Sequence, residues 1–222
     1  MKFYFGNKEN LFYPDKYLEA KEAFEKLRVQ LNAKSLTFLK QVHGISGHVI
    51  NNASGLSLQE QEGDFLITNR PGCAMGVLTA DCLPIILYDA INQACGIIHA
   101  GWRGSVSGIS KRAVEAMRVY FDTRPENLIV YFGPSAKNCC YAVDNDFYKI
   151  IPKEYEQNVV CAAGTKFFLD NVELNRLQML DVGVLSENMN FSNNTCTICN
   201  LSYHSFRRSG VQAGRQASIV VV

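Results

Sequence analysis

The chain has 222 residues, 47% of them apolar and 19% charged, with 22 basic side chains against 21 acidic ones. That length buries roughly 70% of the unfolded surface without covalent staples, and the near-zero charge balance excludes a general basic field for nucleic acid. No stretch approaches the roughly 18 apolar residues of a membrane span, and MKFYFGNKEN has no signal-peptide core, so a cytoplasmic protein with no membrane or nucleic-acid partner is expected.

In chain order, Leu18, Phe24, Leu27 and Leu31 share one helical face between Asp15 and Leu31, with Pro14 and Asp15 suited to the helix start. Strand-like runs follow in quick succession: LTFLKQV, GHVIN, DFLIT, AMGVLTA, PIILYD and ACGIIHA, separated by glycine, proline or asparagine clusters. After HAGWRG, the segment from Ser105 to Phe121 places Ile109, Ala113, Met117 and Tyr120 on one helical face. NLIVYFG reads as a further buried strand. Asp170 with Glu173 resembles a capping box that opens a helix through Leu177 and Leu180 to a stop at Gly183, and ASIVVV reads as a last strand. No repeat or linker interrupts the pattern, and strands and helices alternate too irregularly for a doubly wound sheet. One domain over residues 1–222, of class α+β, is the reading.

Eight cysteines are too sparse for a disulfide scaffold and are expected as thiols. The pair Cys196 and Cys199 in NTCTICN has metal-like spacing, but the adjacent Cys139 and Cys140 look unable to pinch one ion between them. Both pairs read as structural thiols. The four histidines are His43 in KQVHG, His48 in GHV, His99 in HAGWRG and His204 in YHSFRRSG. Two imidazoles with the thiolate of Cys82, in TADCLPI, could hold zinc and leave a fourth position open, which is the catalytic pattern. Their gaps are too long for a local ligand motif, so buried residues satisfied by backbone partners stand as the alternative. Arg103, ahead of a helix, is the best single anion candidate, and Arg207, Arg208 and Arg215 make a second phosphate cradle or a solvated loop. Lys40 and Gln41, beside His43, are candidate substrate contacts. If the stretch is a strand, only one of them shares the histidine's face.

KQVHG, TADCLPI, HAGWRG, GPSAKNCCYAV, FLDNVELNRLQML and RRSGVQAGR occur in the order seen in the YfiH/YlmD family, which the chain resembles from about residue 36 to its C-terminus. That family is also called the laccase-domain, polyphenol oxidase or peptidoglycan-editing-factor family, and FAMIN is its animal relative. The resemblance implies an α/β sandwich of mixed sheets flanked by helices, with zinc on His43, Cys82 and His99. It also implies phosphorolysis of adenosine, inosine and methylthioadenosine, and deamination of adenosine, with purine nucleosides and phosphate as partners and the oligomeric state open, a monomer included. Copper is the less favoured metal. A multicopper oxidase uses about ten histidines, whereas this chain has four.

Where the family commonly reads CYEV and RRDG, this chain carries Ala142 and Ser209, so no acid acts from those positions. Two other classes compete: a hydrolase of amides or esters with Cys82 as nucleophile and a histidine as base, and a zinc module without turnover that edits peptidoglycan precursors.

Overall fold

The computed structural model describes residues 1–9, 12, 17–51, 61–144 and 146–222. Pro14 and Asp15, expected to open the first helix, lie outside that set. In chain order the elements are β1 (Lys2–Phe5), α1 (Tyr17–Gln30), β2 (Ser35–Thr37), β3 (Gly47–Val49), β4 (Phe65–Thr68), β5 (Cys73–Thr79), β6 (Leu83–Asp89) and β7 (Ala94–Ala100). Then come α2 (Trp102–Val106), α3 (Ile109–Phe121), β8 (Leu128–Phe132), β9 (Ala142–Val143), α4 (Lys153–Val159), β10 (Val160–Ala163) and β11 (Lys166–Leu169). α5 (Asn171–Asp181), β12 (Met189–Asn190), α6 (Phe206–Ser209) and β13 (Gln216–Val221) complete the chain.

Two mixed sheets form, in the orders β1-β13-β5-β2 and β12-β8-β6-β7-β4-β3, beside a small antiparallel sheet, β10-β11-β9. The first two stack face to face, because β5, β6 and β7 are apolar on both faces and each face must be covered. Leu66, Ile86 and Ile97 of the six-stranded sheet meet Met75, Val77 and Val220 of the four-stranded one in the central layer. On the outer side of the larger sheet, Ile67, Ile85, Leu87 and Ile98 pack on Ile109, Ala113, Val114 and Met117 of α3. On the outer side of the smaller sheet, Ala74, Ala217 and Ile219 pack on Phe24, Leu27 and Leu31. The result is the expected α+β sandwich of mixed sheets flanked by helices, and no described helix is long and apolar enough to cross a membrane.

Three expectations change. LTFLKQV is a strand only at its start, since β2 ends at Thr37 and the chain reaches His43 with φ +60°. The segment from Ser105 to Phe121 is two helices, broken where Gly108 takes φ +86°. Tyr120 is 58% exposed, because Phe121 rather than Tyr120 completes the buried face after Met117. The cap of α5 forms as expected, with Asp170 Oδ1 accepting the Glu173 N–H at 2.9 Å. The Glu173 carboxylate turns instead to Arg176. β1, α4, α6 and the β9–β11 sheet had no counterpart in the sequence reading.

Candidate metal centre

His43, Cys82 and His99 come from three separate segments, yet their ligand atoms all lie within 4.8 Å of one another. His99 ends β7, Cys82 sits in the turn entering β6, and His43 lies on the loop after β2. The two imidazoles meet edge to face with centroids 4.8 Å apart. His99 is buried, Cys82 half-buried and His43 exposed, so the group opens toward solvent on the His43 side.

Asp64, just before β4 and 1% exposed, organises two of the three. Its Oδ1 accepts from His99 Nδ1 at 2.8 Å and from the His43 backbone N–H at 2.9 Å, while Oδ2 accepts the Gly44 N–H at 2.7 Å. That leaves His99 Nε2 as the nitrogen for a metal, the arrangement in which a carboxylate orients a ligating imidazole. Burial opposes ionisation of Cys82, but the His99 charge and hydrogen bonds from both imidazoles bring its thiol down to about 6. Burial likewise opposes charge on His99, and Cys82 with Asp64 raise it to about 9.

The turn ahead of Cys82 is held from the far end of the chain. Asp81 takes φ +89°, a costly conformation for a residue with a Cβ. Its carboxylate accepts Thr197 Oγ1 at 2.7 Å, Ser205 Oγ at 3.0 Å and the Arg207 N–H at 2.6 Å. Asp81 therefore acts as an organiser of the turn that carries Cys82. The glycines of HAGWRG also acquire a reason. A Cβ on Gly101 would sit 2.8 Å from His43 Cδ2 and 3.3 Å from Cys82 Sγ, and one on Gly104 would sit 2.6 Å from the Gly44 carbonyl oxygen.

Residues 11–222 match the family model described as multi-copper polyphenol oxidoreductase laccase. The chain belongs to that laccase family. It is similar to a purine nucleoside phosphorylase of Clostridium acetobutylicum, 31% identical over 98% of this chain and 90% of that one. It is 27% identical to human purine nucleoside phosphorylase LACC1 over 96% of its own length, which is about half (51%) of the human protein. Among solved structures, the Bacillus licheniformis hypothetical protein YfiH superposes with TM-score 0.79 at 26% identity, covering 89% of this chain and 78% of that one.

Within this laccase-family fold the other expected contacts divide by what already engages them. The Gln41 amide donates to the Leu78 carbonyl and accepts the Leu78 N–H, both at 2.8 Å, so it tethers the His43 loop to β5. Lys40 is exposed and paired with Glu62 at 2.8 Å. Arg208 donates to the carbonyls of Thr197, Ile198 and Tyr203. Arg215 donates to those of Ala213 and Gly214. Arg103 is exposed over the Trp102 ring, 4.4 Å from its centroid. Arg207 is exposed over Tyr141 at 4.7 Å, with its Nη1 on the Ala142 carbonyl. His48 Nε2 meets the Glu62 carbonyl, and His204 is half-buried and not part of the converging group.

Sequence reasoning missed Asp64, since an aspartate opening a strand carries no local signal. It also treated the two cysteine pairs separately, whereas the structure brings them together. Cys139, Cys140, Cys196 and Cys199 form a second group whose sulfurs lie within 4.8 Å of one another. Adjacent cysteines share one side because the chain turns tightly there, Cys140 and Tyr141 both donating to the Lys137 carbonyl.

Proposed function

We propose that the protein is a zinc-dependent purine nucleoside phosphorylase. It would cleave adenosine, inosine and methylthioadenosine to the free base and ribose 1-phosphate, or its methylthio analogue, and would also deaminate adenosine. The observation that carries this reading is the convergence of His43, Cys82 and His99 with Asp64 behind His99. Two imidazoles and one thiolate are a donor set zinc uses, and three protein ligands leave a place for substrate. The names of the relatives supply the substrate class. With four histidines in the chain, the several copper centres in the family's description are not accounted for.

His43, Cys82 and His99 would hold the ion, which when bound supplies a Lewis acid to the site. Asp64 fixes the His99 tautomer and the loop that carries His43. We assign phosphate to Arg103 and Arg207, the two exposed guanidinium groups on the elements flanking Gly101 and Asp81, with Lys40 as a substrate contact at the rim. Gln41, Arg208 and Arg215 are assigned to positioning. In phosphorolysis a phosphate oxygen bonds to the anomeric carbon, the C1′–N9 bond breaks, and its electron pair leaves with the base, which takes up a proton. Fixed guanidinium forks hold the anion against the sugar, which accelerates such a step by orientation and charge. In deamination, water replaces the amino group of the purine and ammonia leaves.

A second reading rests on the lowered Cys82 thiol and raised His99, the electrostatics of a thiolate nucleophile beside an imidazolium in a metal-free hydrolase. One experiment separates the two: mass spectrometry of products from inosine and adenosine, with and without phosphate, beside elemental analysis of the same sample. Hypoxanthine and ribose 1-phosphate formed only with phosphate, together with zinc that is lost in Cys82→Ala, support the phosphorylase. No base released at high enzyme concentration overturns it.

A further inference from the structure

The four-cysteine group lies outside the centre just described, and nothing in the proposed chemistry uses it. Two tight turns deliver its sulfurs. Lys137–Tyr141 presents Cys139 and Cys140, and the turn closed by the Asn200 N–H on the Cys196 carbonyl at 3.0 Å presents Cys196 and Cys199. The turns are locked side by side, with the Ser135 N–H donating to the Thr195 carbonyl at 3.1 Å and the Thr197 N–H returning to the Ser135 carbonyl at 3.0 Å. Cys199 Sγ lies 2.8 Å from Cys140 Sγ and 3.6 Å from Cys139 Sγ. The sulfurs thus converge on a common centre instead of separating into two pairs, as two disulfides would require.

We propose that Cys139, Cys140, Cys196 and Cys199 bind one thiophilic divalent ion, of which zinc is the type, as a closed structural site. A tetrahedron of Zn–S bonds near 2.3 Å sets its sulfurs about 3.8 Å apart, and the four here all fall within 4.8 Å of one another. Cys-x-x-Cys on a tight turn is the half-site that structural zinc uses. Four thiolates this close repel one another in the absence of a cation, and a divalent ion removes that repulsion. With every ligand supplied by protein, no position is open to substrate.

The placement says what the ion would support. Thr197, inside one turn, donates to Asp81. The Ala136 N–H, leading into the other, donates to the Asp81 carbonyl at 2.9 Å. Arg208 braces the same turn through the Thr197 and Ile198 carbonyls, and Tyr141, the ring beneath Arg207, follows Cys140. The ion would clamp the two loops that hold Asp81, and through it Cys82.

Elemental analysis of the chain, purified under reducing conditions, tests the proposal. Two zinc ions per chain are expected, one for each ligand group. Cys82→Ala and the double variant Cys196→Ser/Cys199→Ser should each drop to one. Because the double variant could fail to fold, cobalt is also added to metal-stripped, reduced Cys82→Ala protein. Strong thiolate-to-cobalt charge-transfer absorption with tetrahedral ligand-field bands, saturating at one ion per chain, is expected. A Cys82→Ala chain that takes up neither zinc nor cobalt overturns the proposal, as does a Cys140–Cys199 disulfide found by mass spectrometry in protein kept reduced throughout. Neither result depends on nucleoside turnover, so failure here leaves the phosphorylase reading standing.

Discussion

Asp64 and His99 share a hydrogen bond of 2.8 Å between Oδ1 and Nδ1, in a place where His99 is 2% exposed and Asp64 1%. The same carboxylate also accepts three backbone N–H groups from the His43 loop, those of Val42, His43 and Gly44. One side chain therefore sets the orientation of one imidazole and the backbone of the other. Asp64→Asn keeps the shape but supplies one acceptor oxygen in place of two and loses the charge. Metal affinity should fall by about 10- to 100-fold, read by competition with a chromophoric chelator. Unchanged affinity would mean that His99 is held by the sheet alone.

Gly101→Ala tests the crowding beside the ligands. The added methyl meets His43 Cδ2 at 2.8 Å and Cys82 Sγ at 3.3 Å, so the exposed His43 ring is the group that gives way. Bound zinc and nucleoside cleavage should fall together while the circular dichroism spectrum stays that of the parent. Full zinc occupancy in Gly101→Ala would show that the His43 loop adjusts freely.

The arginines give a prediction with opposite signs. Arg208 closes three carbonyls from Thr197, Ile198 and Tyr203, and hydrogen bonds from a charged donor contribute about 1.5–3 kcal/mol. Arg208→Ala should lower Tm. Arg103→Ala and Arg207→Ala should instead raise KM for phosphate, with zinc content and Tm little changed. Steady-state kinetics at varied phosphate, beside thermal melts, checks both arms, and a phosphate KM unaltered in Arg103→Ala and Arg207→Ala removes them as the anion clamp.

Away from the centre, Asp89 ends β6 fully buried and accepts the Ile91 and Asn92 N–H groups and the Asn92 amide. Burial pushes its carboxyl up, and these donors, the Asn92 amide foremost, more than offset that and hold it below its ordinary 3.8. A carboxyl depressed on folding stabilises the fold above its unfolded pKa, and that contribution fades as pH falls through the lower, folded value. Asp89→Asn should therefore cost about 1.5–3 kcal/mol near neutrality and less on the acid side of pH 3.8. Urea titrations at pH 7 and pH 3 should show the gap between parent and variant narrowing, and a gap that widens in acid contradicts the assignment.

What the sequence disclosed follows from the range of each signal. Runs such as PIILYD and ACGIIHA are buried on both faces, so their composition alone marks them, and both strands form as expected. The grouping of His43, Cys82 and His99 is legible because imidazole and thiol are rare and chemically distinct. Asp64 was invisible, because its work is done across 35 residues on His99 and its neighbours in sequence say nothing of that. The meeting of the four cysteines is hidden for a related reason. Spacing shows which groups one turn can gather, whereas the second pair arrives through a contact spanning about 60 residues. Alternation misplaced Lys40 and Gln41 because the backbone had already left the strand at Thr37.

β13 lies between β1 and β5, antiparallel to both. The sheet that backs one side of the central layer is thus incomplete until Gln216–Val221 slot between segments made much earlier. Asp81 likewise waits for Thr197, Ser205 and Arg207. A nascent chain would hold His99 and Cys82 on a nearly finished larger sheet while the turn joining them to the rest was still unbraced. Capture of the proposed ion at that centre would accordingly follow synthesis of the residues that brace Asp81, and slow closure of distant contacts is the expected kinetic signature.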